Sequence, residues 1–231
     1  MLKFKVLSVT LLTTVVLFAC SIDSNAQTGI KGGLNFSIIG GDIPEELNAE
    51  SKTGLSFGIS QQFDVADGLA FRPEVMILQK GYVSNIVFDI PVEIEQTFQL
   101  DYVDVVLPAL ITVETQHNFS PQFFAGPFLG FNINAEAESR ETRFGGEPVT
   151  TSKDISDEIN SLDYGVAFGL GGLVDLAAGA ITMDVRFNLG LAEIFDADPV
   201  MIDQDDFDGD PEIPEGDTFN RGLMLTVGYQ F

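Results

Sequence analysis

Strict alternation of apolar and polar residues is the feature that most constrains this chain. From Ile181 to Leu191 every odd position is apolar, and the even positions are Thr182, Asp184, Arg186, Asn188 and Gly190. A period of two residues places successive side chains on opposite faces of a β-strand, whereas an amphipathic helix needs a period of about 3.6. The segment therefore predicts a strand with one apolar face and one polar face that bears both signs of charge.

Seven further segments repeat this alternation. Together they predict eight strands, at residues 30–38, 55–63, 69–77, 103–113, 123–133, 162–174, 181–191 and 223–231. The connections at 64–68, 115–120 and 175–180 are short, and the other four are long. An even number of strands joined alternately by short turns and long loops is typical of bacterial outer-membrane barrels. We therefore predict an all-β fold, an eight-stranded antiparallel up-and-down transmembrane β-barrel.

The N-terminus predicts export. A basic start is followed by an apolar run from Val6 to Ala19, which is too short to cross a bilayer as a helix and is typical of a secretory signal peptide. A small residue, Ala26, precedes the expected cleavage site, so residues 1–26 form the predicted signal and 27–231 a single barrel domain. Cys20 offers an alternative site, for lipid attachment. As the only cysteine, it forms no internal disulfide.

The charge balance limits the partners of this chain. Its net charge is −24, and loss of residues 1–26 removes two Lys and one Asp from 11 basic and 35 acidic residues, leaving −25. Nucleic acid and anionic membrane surfaces are therefore expected to be poor partners. Long acidic outer loops are expected at about 40–52, 81–97, 135–160 and 193–219. Alternation continues through 81–97, so strands three and four are expected to extend beyond the bilayer as a hairpin.

The charged strand faces point to a polar lumen. An Arg that faces lipid at the bilayer centre costs about 2–4 kcal/mol, whereas inward charges can pair with each other. The expected lumen residues are Lys31, Arg72, Glu74, Asp104, Glu114, Asp163, Asp184 and Arg186. Eight strands enclose a space that side chains fill, so a plugged interior is expected. Two alternatives remain: a narrow channel or secretion-apparatus component, and a soluble lipocalin-like barrel with its apolar face turned inward around a ligand.

Several segments resemble the PorT-like family of small outer-membrane β-barrels, which is common in Bacteroidetes. They are residues 29–37, 71–81, 100–108, 124–130, 185–191 and 227–231, in the family's order. The resemblance implies an eight-stranded barrel in outer-membrane lipid. It also implies insertion by the outer-membrane assembly machinery, which recognises a C-terminal aromatic residue, here Phe231. One family member takes part in secretion of gliding and virulence proteins, whereas most have no assigned role.

No catalytic site is predicted. The single histidine, His117, lies in a short turn without the neighbouring Ser and Asp that histidine-dependent catalysis requires. We therefore expect a non-enzymatic protein whose outer loops form a structural or interaction surface for a protein partner.

The last long loop leaves two interpretations open. Residues 193–217 contain eleven acidic residues and no Lys or Arg. Asp206, Asp208, Asp210 and Glu215 partly match a calcium-binding loop, although Gln204 replaces the usual first Asp and two prolines intrude. A solvated acidic loop is one interpretation and weak calcium binding is the other. No other cofactor is expected.

Overall fold

The computed structural model describes residues 27–41, 48–87, 92–115, 118–143, 147–195 and 217–231. The predicted signal peptide, Cys20, His117 and the calcium-like segment lie outside these residues. Within them, no helix has the length and apolarity needed to cross a membrane.

Antiparallel strands make up one sheet. In the described ranges they are β1 (Gln27–Gly41), β2 (Ala49–Ala66), β3 (Leu69–Phe71), β4 (Glu74–Val87), β5 (Val92–Val106), β6 (Ala109–Thr112), β7 (Phe119–Arg143), β8 (Val149–Asp154), β9 (Leu162–Leu176), β10 (Gly179–Glu193) and β11 (Thr218–Gln230).

The sheet closes into a barrel because β1 pairs with both β2 and β11. Leu34 lies opposite Leu225 on one side and opposite Leu55 on the other. Proline explains two interruptions, since it has no N–H to donate to a ladder. β3 and β4 are parts of one barrel strand, as are β5 and β6, because the backbone N–H groups of Gln61 and Arg72 still bond to the carbonyls of Pro73 and Pro108. With β8 outside the ring, eight barrel strands close, which confirms the predicted fold.

Apolar side chains point away from the barrel axis. Val185 is 38% exposed and Phe168 45% exposed, while Asp184 and Arg186 are 4% and 1% exposed. The same alternation holds around the whole ring, so the outer wall is a continuous apolar surface of the kind that hydrocarbon solvates and water does not. This orientation rules out the lipocalin-like alternative, which requires the apolar side chains to point into the barrel and the charged ones to face water.

The short turns lie at one end of the barrel together with both ends of the described chain. Gly68 and Gly179 adopt positive φ angles of 72° and 121° at two of these turns, a backbone region that favours glycine. The N–H of Phe231 bonds to the carbonyl of Thr28, which joins the last residue to β1. The predicted short connections therefore join strands at one end of the barrel.

Several barrel strands continue past the apolar band on the opposite side. We call residues 82–87, 92–99, 135–143 and 149–154 the outer extension. Strand pairing reaches Val87 with Glu93 and Val92 with Arg143, so the ranges 81–97 and 135–160, expected to be loops, largely form sheet. The expected hairpin is present here, whereas β8 was not anticipated. A register shift at Asp101/Tyr102 leaves Ile133 of β7 without a partner on β5. The side chains of β7 that point into the barrel are therefore at even positions before Ile133 and at odd positions after it.

Candidate functional site

A basal cluster of ion pairs fills the barrel near its short-turn end. It consists of Lys31 on β1, Arg72 and Glu74 on the β3–β4 strand, and Asp184 and Arg186 on β10. The Lys31 Nζ atom lies 2.6 Å from Glu74 Oε1 and 2.9 Å from Asp184 Oδ2. Arg72 reaches the same two carboxylates, each at 3.1 Å, and Arg186 donates to Glu74 Oε2. Three barrel strands are thus tied together across the axis.

An outer cluster lies farther along the axis, centred on Lys80. The Lys80 Nζ atom is 3.1 Å from Asp104 on β5 and 2.9 Å from Asp163 on β9. Asn220 on β11 donates a 3.0 Å hydrogen bond to Asp163. The ammonium also lies 4.4 Å from the Tyr102 ring centroid, which adds a cation–π contact. Because a buried charge is tolerated only when paired and hydrogen-bonded, this cluster fixes Lys80 firmly.

Opposite charges balance inside the barrel. The basal cluster has three cations and two anions, and the outer cluster has one cation and two anions. Among the described residues these eight are the buried charged ones, so their charges sum to zero. The net charge of −24 therefore comes from residues outside the lumen.

An apolar plug closes the barrel toward the outer extension. It contains Tyr82, Phe98, Ile155, Ile159 and Phe195, all buried. The Tyr82 and Phe98 rings stack with centroids 4.5 Å apart, and Phe195 meets Phe98 edge-on at 6.4 Å. Ile155 and Ile159 come from the turn after β8. That turn therefore folds back over the barrel mouth.

Hydrogen bonds hold this turn in place. The N–H of Ile155 donates to the carbonyl of Ala135, and Asn160 donates to the carbonyl of Ile194. At the end of β8, the N–H of Ser156 lies 2.9 Å from an Asp154 carboxylate oxygen. Hydrogen bonds from the Ser156 side chain and backbone hold the pKa of the exposed Asp154 carboxyl below its usual value. The turn is thus anchored on both sides of the barrel mouth.

Little open space remains beside the outer cluster. A void bounded by Asn35, Lys80, Asn188 and Asn220 measures about 10 Å³, near the minimum that a single water molecule needs. Arg72 and Arg186 also lie over the Phe124 ring, at 5.3 and 5.6 Å from its centroid, which packs the basal cluster. Within the described residues, the interior at both clusters is therefore a packed polar core.

A family comparison agrees with this architecture. The sequence model of the outer membrane protein beta-barrel domain matches residues 19–196. The chain belongs to this outer-membrane β-barrel family. The apolar outer wall therefore faces outer-membrane lipid. No curated protein matches the chain.

Three solved outer-membrane proteins align with most of the chain at low sequence identity. Ail of Yersinia pestis is 11% identical with a TM-score of 0.37, and covers 90% of this chain and 99% of its own. Neisserial surface protein A is 13% identical with a TM-score of 0.41, covering 89% and 99%. OprG from Pseudomonas aeruginosa is 12% identical with a TM-score of 0.38, covering 89% and 96%.

In this outer-membrane barrel, seven of the eight lumen residues expected from the sequence lie together in the interior. Lys31, Arg72, Glu74, Asp184 and Arg186 meet in the basal cluster, and Asp104 and Asp163 meet in the outer one. Glu114 was expected there too, and that expectation was wrong. It lies two residues beyond the end of β6, outside the paired part of the strand, and is exposed.

Sequence reasoning missed Lys80, the cation at the centre of the outer cluster. Lys80, like Arg72 and Glu74, is at an even position of the same alternating segment, so its side chain points to the same face. Extending the predicted strand past residue 77 would have identified it. The C-terminal Phe231 is 66% exposed on the outer wall, with its ring centroid 5.1 Å from that of Tyr229. It lies at the short-turn end, accessible from outside the barrel.

Proposed function

We propose that this protein is a closed, non-enzymatic outer-membrane barrel whose outer extension forms an interaction surface. The packed interior is the observation that supports this. Both ion-pair clusters span the lumen, and the apolar plug covers the mouth above them. Across the described residues, the paired charges and the apolar plug fill the space that a continuous water-filled path for ions would need.

Conductance in planar bilayers tests the closed barrel. We expect no steady single-channel current once the protein has inserted. Insertion of the folded protein is verified independently by the heat-dependent gel mobility of the protein recovered from the bilayer. A porin in the same lipid serves as the positive control. A steady current would support the narrow-channel alternative and overturn the closed barrel.

The PorT-like resemblance gives a finer assignment within the family. The six matching segments support it, as does the exposed aromatic Phe231, where the assembly machinery would bind. A role in a secretion apparatus remains an alternative. Co-purification from crosslinked outer membranes tests it, since a secretion component would be recovered with the same partners in repeated preparations.

Weak calcium binding stays a proposal. The residues concerned, Asp206, Asp208, Asp210 and Glu215, lie outside the described part of the chain. Extracellular calcium modules bind with Kd values of about 10⁻⁴–10⁻³ M, so calorimetry with millimolar Ca²⁺ is the suitable measurement. Absence of heat from the refolded protein would leave the solvated acidic loop as the interpretation.

A further inference from the structure

The outer extension has an open edge. Its strands follow one another in the order β4, β5, β7 and β8, and β8 pairs with β7 from Glu136–Asp154 to Glu141–Val149. On the other side of β8, no strand of the described ranges is paired. A strand with one unpaired side presents a row of backbone donors and acceptors that can template another chain.

The backbone groups on this edge can be identified. Antiparallel partners alternate between residues that bond each other and residues whose N–H and C=O groups point away. Since Ile155 bonds to Ala135 through its N–H, the odd positions of β8 bond to β7. The N–H and C=O groups of Thr150 and Ser152 therefore point outward. We call this side of Val149–Asp154 the β8 edge.

The β8 edge lacks two of the usual protections against pairing, a proline and a β-bulge. The strand contains no proline, its pairing with β7 has no register shift, and Val149, Thr150, Thr151 and Ser152 are all exposed. The first three of these residues are β-branched and favour extended structure. Ile155, the residue directly after β8, is buried in the apolar plug, so the edge is held in place. A preorganised edge loses little conformational entropy when a partner strand pairs with it.

Charge selects the kind of strand that fits. Residues paired across strands share a face, so Asp154 on β8 lies together with Glu136, Glu138 and Arg140 on the adjacent β7, on the exposed face of the two strands. Three carboxylates against one guanidinium give this face a net negative charge. An incoming strand with Lys or Arg at alternate positions would place its cations there.

We propose that the β8 edge binds an extended basic segment of a partner protein by strand addition, in which the backbone of the segment pairs with Thr150 and Ser152. Main-chain hydrogen bonds would supply the affinity, and the carboxylates beside the edge the preference for basic residues. The inference rests on the proposed interaction surface, and it names the surface's position and the chemistry of the partner.

A pair of peptides tests the backbone contact. The probe is a labelled peptide of alternating Lys and Val, added to the mature protein in zwitterionic nanodiscs and followed by fluorescence anisotropy, with empty nanodiscs as blank. The matched peptide has the same sequence and charge with alternate backbone nitrogens methylated. We expect the methylated peptide to bind roughly tenfold more weakly, because it cannot donate to the edge. Equal binding, or no binding by either peptide, would overturn the proposal.

Variants test the edge from the protein side. Ser152→Pro removes an outward N–H that β7 does not use, whereas Ser152→Ala keeps it. We expect Ser152→Pro to weaken binding roughly tenfold and Ser152→Ala to leave it unchanged. Binding of the proline variant at the wild-type level would contradict strand addition. Should Ser152→Pro fail to fold, by gel mobility, Thr150→Pro against Thr150→Ala serves as the same comparison.

Charge variants test the preference for basic segments. Glu138→Gln, on β7 next to the β8 edge, is compared with Glu50→Gln on β2, four strands away from β8 in the sheet. We expect weaker binding for Glu138→Gln alone, with the difference shrinking at high salt. Equal affinities would remove the electrostatic part of the proposal.

The oligomeric state and the conductance distinguish failure of the docking site from failure of the closed barrel. If wild-type protein forms dimers that Ser152→Pro abolishes, the edge takes a second copy of the chain, and the basic-segment proposal fails. If neither peptide binds while bilayers stay silent, the closed barrel survives and only the docking site is lost. A steady current would instead overturn the closed barrel, whatever the peptides do.

Discussion

Single buried side chains hold the barrel strands together. Glu74 forms salt bridges with Lys31, Arg72 and Arg186, which come from three barrel strands. Its loss would leave Asp184 as the one anion against three buried cations in the basal cluster. An uncompensated buried charge is far more costly than the pair itself is favourable.

We predict that Glu74→Gln destabilises the folded barrel by about 3–5 kcal/mol, because the substitution removes the charge at constant size. Unfolding by urea in detergent micelles, followed by the mobility shift between folded and unfolded forms, measures the change. Glu136→Gln, the same substitution on the exposed face of β7, is the matched control and should leave the midpoint nearly unchanged. Equal midpoints for the two variants would show that the cluster is not structural.

Each barrel strand depends on how closely its neighbours approach. On β1, a Cβ atom added at Gly33 would meet the backbone carbonyl of Leu225 on β11, whereas one at Gly32 would lie 3.5 Å from the carbonyl of Ser56. The first contact involves backbone that cannot rotate away. The second is ordinary van der Waals contact.

We predict that Gly33→Ala disturbs the seam between β1 and β11 and costs about 1–3 kcal/mol, as overpacking does elsewhere. Gly32→Ala should be close to neutral. Hydrogen exchange of the β11 amides reports the seam directly, with faster exchange expected near Leu225 in the first variant alone. Matching exchange in both variants would contradict the register between these strands.

The whole molecule is oriented by its two faces. Phe168 is 45% exposed on the outer wall of β9, and Phe128 on β7 is buried in the interior. The chain contains no Trp, so a single introduced Trp reports its own surroundings without interference.

We predict that Phe168→Trp is strongly quenched by brominated acyl chains and that Phe128→Trp is not, because lipid contacts only the outer wall. Fluorescence of each variant in liposomes with and without brominated lipid gives the comparison. Stronger quenching of Phe128→Trp would reverse the orientation and contradict the assignment of the outer wall to lipid.

Much of the fold was predictable because a period of two is a local property. The alternation at 181–191 assigned Asp184 and Arg186 to one face, and the same parity assigned Lys31, Arg72 and Glu74. Strand ends were less predictable. Polar alternation continues past the apolar band in β5 and β7, so the sequence pattern marks where lipid contact stops and not where pairing stops.

The amino-acid pattern was sufficient to establish strands, an apolar outer face and a charged inner face, since each follows from neighbours two residues apart. It could not establish which charges meet. Lys31 reaches Asp184, 153 residues away, and Lys80 reaches Asp163, 83 residues away. Such contacts depend on the register of each strand pair around the closed ring. The unpaired Ile133, the turn folded into the plug and the open side of β8 have the same origin, because they arise only when all strands are assembled.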